Sequence, residues 1–337
     1  MLIAVLAALG CAACFAAASV AQQRATRTVP QSRNLSLRLL VDLVHKPRWL
    51  GGVAASAGGL GLQAVALHYG GLILVQPLIL TELLFALPVA VRLHHKRMQS
   101  RDWLATCAVA GGLALFLVVA SPKGGRPEPP IEVWVIMAAV IAPLIAVLLF
   151  VARDPERPVR STLLGACAGT TFGLLAALLD SLTAVIARHG FVAAFESWQL
   201  YALPVLATGG ELLAQSAFQS GALAACLPAM DSLEPAVAIA IGVAAFGETI
   251  HHTPQAIALE LVGLAATAAG IVVLDRSPLI SALHEDVRRD TERAEERARS
   301  DDSEEAESDP ASDASQRQGR LASAGNPARP QTHAAGR

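Results

Sequence analysis

Six acidic residues lie inside long apolar stretches of this chain that contain no Lys or Arg to neutralise them: Glu82, Asp180, Glu211, Asp231, Glu234 and Glu260. Asp231 and Glu234 are spaced i and i+3, so they share one face of a helix. Glu211 is followed at i+4 and i+8 by Gln215 and Gln219 on its own face. A charge at the centre of a bilayer costs at least about 2.5 to 3.5 kcal/mol, so such carboxylates normally face a bundle interior or a water-filled cavity.

Prolines accompany the acidic pair. Pro228 and Pro235 each remove an i to i−4 backbone bond from the helix that carries Asp231 and Glu234, and Pro77 does the same earlier in the chain. Carboxylates beside freed carbonyls, without basic partners, suit a cation, an organic amine or a proton. The alternative is a set of protonated carboxyls that hydrogen-bond across helices. The candidate binding residues are Glu211, Gln215, Asp231, Glu234, Glu82 and Gln76. For Asp180 and Glu260, which lie nearer helix ends, a solvated carboxylate is an equal alternative.

The composition indicates a membrane protein. Of 337 residues, 53% are hydrophobic and 16% are charged, and the mean hydropathy of +0.48 exceeds that of ordinary soluble domains. Each apolar segment has about 20 residues, enough to cross a hydrocarbon layer of roughly 30 Å. We expect an all-α integral membrane protein, with the lipid bilayer as its environment and no nucleic-acid partner. Nine transmembrane helices are predicted, at 1–21, 48–69, 71–91, 103–121, 131–152, 161–187, 198–218, 222–246 and 255–274.

The first segment has a second interpretation as a cleaved signal peptide, because Ser19-Val20-Ala21 resembles a cleavage site. No Lys or Arg precedes it, which favours an uncleaved helix. Basic residues concentrate in the loops 22–48, 92–101 and 153–160, which the positive-inside rule places in the cytoplasm. We therefore expect a plasma-membrane protein with its N-terminus outside and its C-terminus in the cytoplasm.

An internal repeat relates the two halves of the chain. A shift of 151 residues superposes Gly58-Gly59 on Gly209-Gly210 and Gly112-Leu113-Ala114 on Gly263-Leu264-Ala265, so predicted helices 2–4 match helices 7–9. Five spans separate the copies, so they are inverted in the membrane. Inverted repeats build secondary transporters with a site near the midplane. The predicted transmembrane domain covers 1–275, with halves of about 1–121 and 161–274, followed by a charged, largely disordered cytoplasmic tail at 276–337.

The run from Ser232-Leu233-Glu234-Pro235 to Phe246-Gly247-Glu248 resembles the second-half signature of the drug/metabolite transporter superfamily, also called EamA-like. The resemblance implies a transporter bundle in which Glu248 caps a loop. Gly210-Glu211 followed by Pro228 is similar to the pattern of NIPA-type magnesium transporters. This chain has Ala214 and Ala222 where those proteins usually have asparagine and proline.

These features predict a secondary transporter of a small cation or polar metabolite, working by alternating access around helices 2, 3, 7 and 8. One alternative is Mg²⁺ transport, with Glu211, Asp231 and Glu234 as ligands around a partly hydrated ion. Alternatives of another class are an intramembrane lipid-processing enzyme and a non-transporting scaffold acting through the tail. No nucleophile, zinc or nucleotide motif occurs in the sequence, so we expect neither enzyme activity nor a cofactor. A homodimer is the one protein partner that we expect.

Overall fold

The computed structural model describes residues 2–69, 75, 78–120, 129–154, 159–247 and 253–308, with side chains as far as 300 except at 67 and 298. This part of the chain contains helices and no strands. The helices are α1 (Leu2–Thr26), α2 (Leu37–Val44), α3 (Pro47–Tyr69), α4 (Glu82–Leu93), α5 (Ser100–Ala120), α6 (Ile131–Val151), α7 (Arg160–His189), the single turn α8 (Ala193–Glu196), α9 (Trp198–Ser220), α10 (Leu223–Ile241), α11 (Pro254–Asp275) and α12 (Pro278–Ser308). A short 3₁₀ turn, Gln31–Arg33, precedes α2, and a π-helical turn, Gly242–Phe246, extends α10.

Seven of the described helices are long and apolar enough to cross a membrane: α1, α3, α5, α6, α7, α10 with its π turn, and α11. They correspond to seven of the nine predicted spans. The predicted span 198–218 is helical as α9, which is less apolar than the seven because it contains Glu211, Gln215 and Gln219. The predicted span 71–91 lies partly outside the described residues, and α4 begins in its second half, at Glu82. The protein is thus an all-helical, multi-pass membrane protein, and the count of nine stays a prediction.

Local signals in the sequence set several helix ends. Thr253 caps α11, since its hydroxyl oxygen accepts a hydrogen bond from the N–H of Ala256 at 3.2 Å and Pro254 occupies the first turn. The π turn at the C-terminal end of α10 stops at Gly247. Its φ of +67° lies in the left-handed region, which glycine adopts at least cost. These caps fix where the chain leaves the helical bundle.

Glycines let the long helices approach closely. On α7, Gly165, Gly169 and Gly173 repeat every four residues and face the main chain of α10. A β-carbon on Gly165 would lie 2.5 Å from the carbonyl oxygen of Cys226, and one on Gly173 would lie 2.5 Å from that of Glu234. The α7 and α10 backbones are therefore in direct contact, which fixes the direction in which α10 presents its other faces.

One side of the bundle carries the ends of several helices. Gln23, near the end of α1, donates a hydrogen bond to the carbonyl of Gly221 at 2.9 Å, and Ser161, at the start of α7, lies 3.1 Å from Nε2 of His284 in α12. We call this the α12 side. The basic loops that the positive-inside rule assigns to the cytoplasm leave from it.

The first half of α12 is packed against the bundle, although the sequence predicts a charged tail there. Ile280, Leu283 and Val287 are buried, at 1 to 3% exposure. Their spacing of three and four residues places them on one helical face, with charged residues on the other. Arg27, also buried, lies 3.9 Å from Asp290 and forms a short hydrogen bond with His94. The α12 helix is thus attached to the ends of both α1 and α4.

Residues Leu37–Val44, in the segment that follows α1, form the short helix α2. Leu39 and Leu43 pack inward against the loop that follows α1, whereas Leu37, Val41 and Val44 are exposed. The exposed apolar face is the one that a helix lying on a bilayer surface turns toward the acyl chains.

Candidate functional site

A cavity of about 640 Å³ lies in the middle of the bundle and is lined from α1, α3, α5, α7, α9, α10 and the segment that enters α4. Four predicted site residues, Glu82, Glu211, Asp231 and Glu234, all line it. Their positions in the sequence span more than 150 residues, so the fold brings them together. Gln76 lies outside the described residues.

Glu82 is the most enclosed of the four carboxylates. It is the first residue of α4, its side chain is buried, and the hydroxyl of Ser19 on α1 donates a hydrogen bond to its Oε1 at 3.0 Å. Ser19 also lines the cavity. The bond joins α1 to the start of α4, so two helices from the first half of the chain contribute to the site.

Glu211 is held by a chain of amides. Gln215, one turn along α9 and fully buried, donates from Nε2 to Oε1 of Glu211 at 2.6 Å and to Oε1 of Gln22 at 2.9 Å. Gln215 stands behind the cavity wall, while Glu211 and Gln22 line the cavity. The predicted binding residue Gln215 therefore positions Glu211 and does not itself face the cavity.

Asp231 and Glu234 both line the cavity from α10. The carbonyl oxygens of Met230 and Glu234 lie against Gly169 and Gly173 of α7, so this close contact holds the acidic stretch of α10 in place. Asp231 is half-buried, and Glu234 is exposed toward the cavity space. The helix continues through both prolines, and Pro235 leaves the carbonyl of Asp231 without its usual N–H partner. Three acceptor groups thus lie on one short stretch of α10.

The titratable side chains found in the described lining of the cavity are all acidic. Among the residues that the structure describes, no Lys, Arg or His lines it, so its four carboxyl groups have no cationic neighbour there. A ligand that brings positive charge, or protons taken up by the carboxyls themselves, would offset the cost of holding these groups at membrane depth. The cavity is therefore suited to cations and to hydrogen-bond donors.

Sequence reasoning missed part of the lining. Phe15, Ser19 and Gln22 of α1 and Ser56 and Gln63 of α3 all face the cavity, as does Phe172 of α7. The signal was present, because Phe15, Ser19 and Gln22 follow each other at spacings of four and three on one helical face. Phe218 of α9 also lines the cavity. Phe85 of α4 and Tyr201 of α9 do not, and they are 40% and 62% exposed.

Two phenylalanines occupy matching places on opposite walls. A β-carbon on Gly59 of α3 would lie 2.6 Å from Cε1 of Phe15, and one on Gly210 of α9 would lie 2.6 Å from Cε1 of Phe172. Gly59 and Gly210 are 151 positions apart, the shift of the sequence repeat. The same shift relates further lining residues: Leu60 and Glu211, Gln63 and Ala214, Ile79 and Met230, and Leu80 and Asp231. The cavity is walled by corresponding positions of the two halves.

The metal prediction was Glu211, Asp231 and Glu234 around Mg²⁺. Across the described ranges, no group of three or more His, Cys, Asp or Glu residues is arranged to hold a metal ion. The cavity is also far larger than one ion and has the size of a small-molecule site. The geometry is thus suited to an organic solute or to an ion that keeps its water.

The chain is similar to a known bacterial protein over most of its length. The chain is 29% identical over 249 residues to a Corynebacterium glutamicum protein described as uncharacterized, and the match covers 73% of this chain and 86% of the relative. No family model matches the chain. No solved structure matches it either. The description of the relative states no activity, so function must be inferred from the site.

Proposed function

We propose that the protein is a secondary transporter that carries a small cationic or polar organic solute across the membrane by alternating access. The observation that supports this most is the convergence of Glu82, Glu211, Asp231 and Glu234 on one cavity of about 640 Å³ inside a multi-pass helical bundle. Carboxylates are costly at membrane depth, and a transport site is a frequent reason for placing them there. We also propose that the protein belongs to the drug/metabolite transporter superfamily, because the run that begins at Ser232 in α10 resembles the second-half signature of that superfamily.

Corresponding positions of the two halves support an inverted repeat. Gly112 and Gly263, 151 positions apart, face each other where α5 crosses α11, and Phe15 and Phe172 pack on the matching glycines Gly59 and Gly210. Reciprocal contacts between equivalent residues are what a two-fold relationship produces. In transporters built this way, the substrate site lies between the halves, which is where the cavity lies.

Alternating access requires a barrier that can open, and the α12 side of the cavity has one. Gln215 and Gln219 are fully buried there, and Gln219 donates to the carbonyl of Val29 at 2.8 Å. Asn34 donates to Oε1 of Gln219 at 2.9 Å. A solute leaving toward this side must separate these amide pairs. We propose that this barrier faces the cytoplasm of a plasma membrane, with the N-terminus outside.

Mg²⁺ is the second candidate substrate. It dehydrates reluctantly and is usually bound by one or two carboxylates with several waters retained, so Asp231 with Glu234 or Glu211 could serve without a three-residue chelate. An organic cation additionally gains from the apolar and aromatic wall formed by Phe15, Phe172 and Phe218. The cavity lining favours the organic cation.

Uptake into proteoliposomes tests the proposal. The purified protein would be assayed with a panel of organic amines, neutral polar metabolites and ²⁸Mg²⁺, with and without an imposed pH gradient. We expect Glu211→Gln and the double variant Asp231→Asn, Glu234→Gln to lower uptake by at least about tenfold, since each removes charge from the cavity. Asp180→Asn, an exposed acid of α7 outside the cavity, is the matched control. Uptake undiminished in both site variants would refute the assignment of the site.

A further inference from the structure

A second cavity, of about 560 Å³, lies on the α12 side where α4 ends and α5 begins. Its polar wall carries Arg92, His95, Lys96 and Arg97, and its edge is formed by Trp103. It is separate from the acidic cavity and shares no lining residue with it.

The positive charge of this cavity is uncompensated. Arg92, Lys96 and Arg97 form no ion pair with any carboxylate in the described part of the chain. The acids near them are engaged elsewhere: Asp102 accepts a hydrogen bond from Ser277 at 2.5 Å, and Asp286 lies 3.5 Å from Nδ1 of His94. Lys96 is partly buried in the cavity wall, whereas Arg92 and Arg97 are exposed. The cavity is therefore suited to an anion.

A tight turn presents the basic residues. After α4 the backbone N–H groups of His95 and Lys96 donate to the carbonyls of Arg92 and Val91 at 2.9 and 3.2 Å. His95 has φ of +56°, a left-handed conformation that non-glycine residues rarely adopt. The contact of His94 with α12 holds the turn from behind. The cavity is thus built into the fold before any ligand arrives.

The other walls of the cavity are apolar and continue onto the outer surface of the bundle. Pro88 and Val91 form the part of the lining nearest the membrane interior. Val89, adjacent to Pro88 in the sequence, is 45% exposed, and Leu104, adjacent to Trp103, is 72% exposed, as expected for residues that face acyl chains. Trp103 is half-exposed at the start of α5, the depth at which tryptophan concentrates in membrane proteins. A ligand that fits both walls has an anionic head and apolar chains.

We propose that this cavity binds the phosphate headgroup of an anionic phospholipid from the leaflet on the α12 side. The phosphate is held by Arg92, Lys96 and Arg97, the glycerol region packs against Trp103, and the acyl chains leave along Val89 and Leu104. Basic pockets between membrane helices are an established way of recognising such headgroups. Basic residues that only set orientation in the membrane would need neither the cavity nor the apolar wall.

Native mass spectrometry of the purified full-length protein tests this assignment. Phosphatidylglycerol and phosphatidylcholine would be offered at equal concentration, with inorganic phosphate in a separate series. Wild-type protein should retain one phosphatidylglycerol in preference to phosphatidylcholine. The triple variant R92Q, K96Q, R97Q should bind it at least about tenfold more weakly. The control triple R38Q, K46Q, R48Q removes equal charge from the same side outside the cavity and should bind as wild type does.

A matched pair of single variants guards against misfolding of the triple variant. Lys96→Gln and Lys46→Gln each neutralise one half-buried lysine on the α12 side, and only Lys96 lines the cavity. Only Lys96→Gln should weaken phosphatidylglycerol retention. The proposal would be overturned if the cavity variant and its control, triple or single, lost phosphatidylglycerol binding equally. It would also be overturned if wild-type protein retained the two lipids equally. Saturable binding of inorganic phosphate that displaces the lipid would assign the cavity to a free anion instead.

Discussion

Gly112 and Gly263 contact each other reciprocally at the crossing of α5 and α11. A β-carbon on Gly112 would lie 2.6 Å from the carbonyl oxygen of Gly263, and one on Gly263 would lie 2.7 Å from that of Gly112. Their partners are also reciprocal, because Gly112 faces Thr267 and Gly263 faces Phe116, and Phe116 and Thr267 are themselves 151 positions apart. The backbones of α5 and α11 meet here with no side chain between them.

Alanine at Gly112 or Gly263 should destabilise the protein. The added methyl would overlap main-chain atoms that belong to two helices, and overpacking of this kind costs about 1 to 3 kcal/mol. Thermal unfolding in detergent measures the loss. Gly111→Ala is the control, since nothing lies within 4 Å of its β-carbon position and alanine is the better helix former. If Gly111→Ala destabilised the protein as much as the other two variants, the close contact between α5 and α11 could not be the cause of their loss of stability.

Alanine at Gly59 or Gly210 should weaken substrate binding more than it slows turnover. The new methyl would displace the ring of Phe15 or Phe172, each of which now lies 2.6 Å from that position, and so would reshape the cavity wall. We expect KM to rise by about three- to tenfold, equivalent to about 0.6 to 1.4 kcal/mol of binding. Proteoliposome uptake with the solute identified in the panel measures this. Gly58→Ala and Gly209→Ala, whose β-carbons would have open space, should leave KM unchanged.

The acidic part of the site could be predicted because a carboxylate in an apolar run is conspicuous. Asp231, Glu234 and Glu211 needed no structural information to be singled out, and their helices appear within a few residues of the predicted bounds. The polar part of the lining carried a weaker sequence signal, namely the helical face that Phe15, Ser19 and Gln22 share. Ser19 and Gln22 are uncharged and close to the end of α1, where such residues are common at a membrane interface. Only the packing of α1 beside α4 and α9 makes them part of the cavity.

The attachment of α12 was also beyond sequence reasoning. Charged residues dominate the segment after Asp275, and they predict a solvated helix. Ile280, Leu283 and Val287 have amphipathic spacing, but a short apolar stripe does not reveal what it packs against. The helix also contacts distant parts of the chain through its polar residues, because His284 lies against Gly221 and Asp286 lies near His94 at the end of α4. Tertiary contacts of this kind depend on how all the spanning helices are placed.

Acidification should weaken the attachment of α12. Burial, and then the neighbouring Arg27, lower the pKa of His94 below its ordinary value of 6.5, while Asp286 and Asp290 oppose the shift and Arg24 adds to it. The native state therefore resists protonation more than the unfolded state does. The contribution of His94 is fully present above about pH 6.5 and is lost as the pH falls below that value. Thermal unfolding midpoints between pH 8 and pH 5 should show this decline.

His94→Gln separates this effect from other titrations. Glutamine can accept the hydrogen bond from Arg27 but does not titrate, so the variant should lose less stability than wild-type protein on acidification. The stability of the variant should still decline somewhat as the pH falls, because burial also lowers the pKa of His284 in α12. His45→Gln, an exposed histidine on the same side, is the control. Identical pH profiles for wild type and His94→Gln would show that the cluster around Arg27 does not respond to pH in this range.

Truncation within α12 should have two distinct outcomes that depend on the cut. Removing 301–337 deletes a polar segment whose only large apolar residue is Leu321, so stability and transport should stay at wild-type levels. Removing 278–337 deletes Ile280, Leu283 and Val287, and burial of one such side chain contributes about 1.5 to 3 kcal/mol, so the unfolding midpoint should fall strongly. The double variant Ile280→Ala, Leu283→Ala in the full chain should reproduce most of that fall. A scaffold acting through its tail would instead lose its cellular phenotype with the shorter deletion, while the protein remained as stable as wild type.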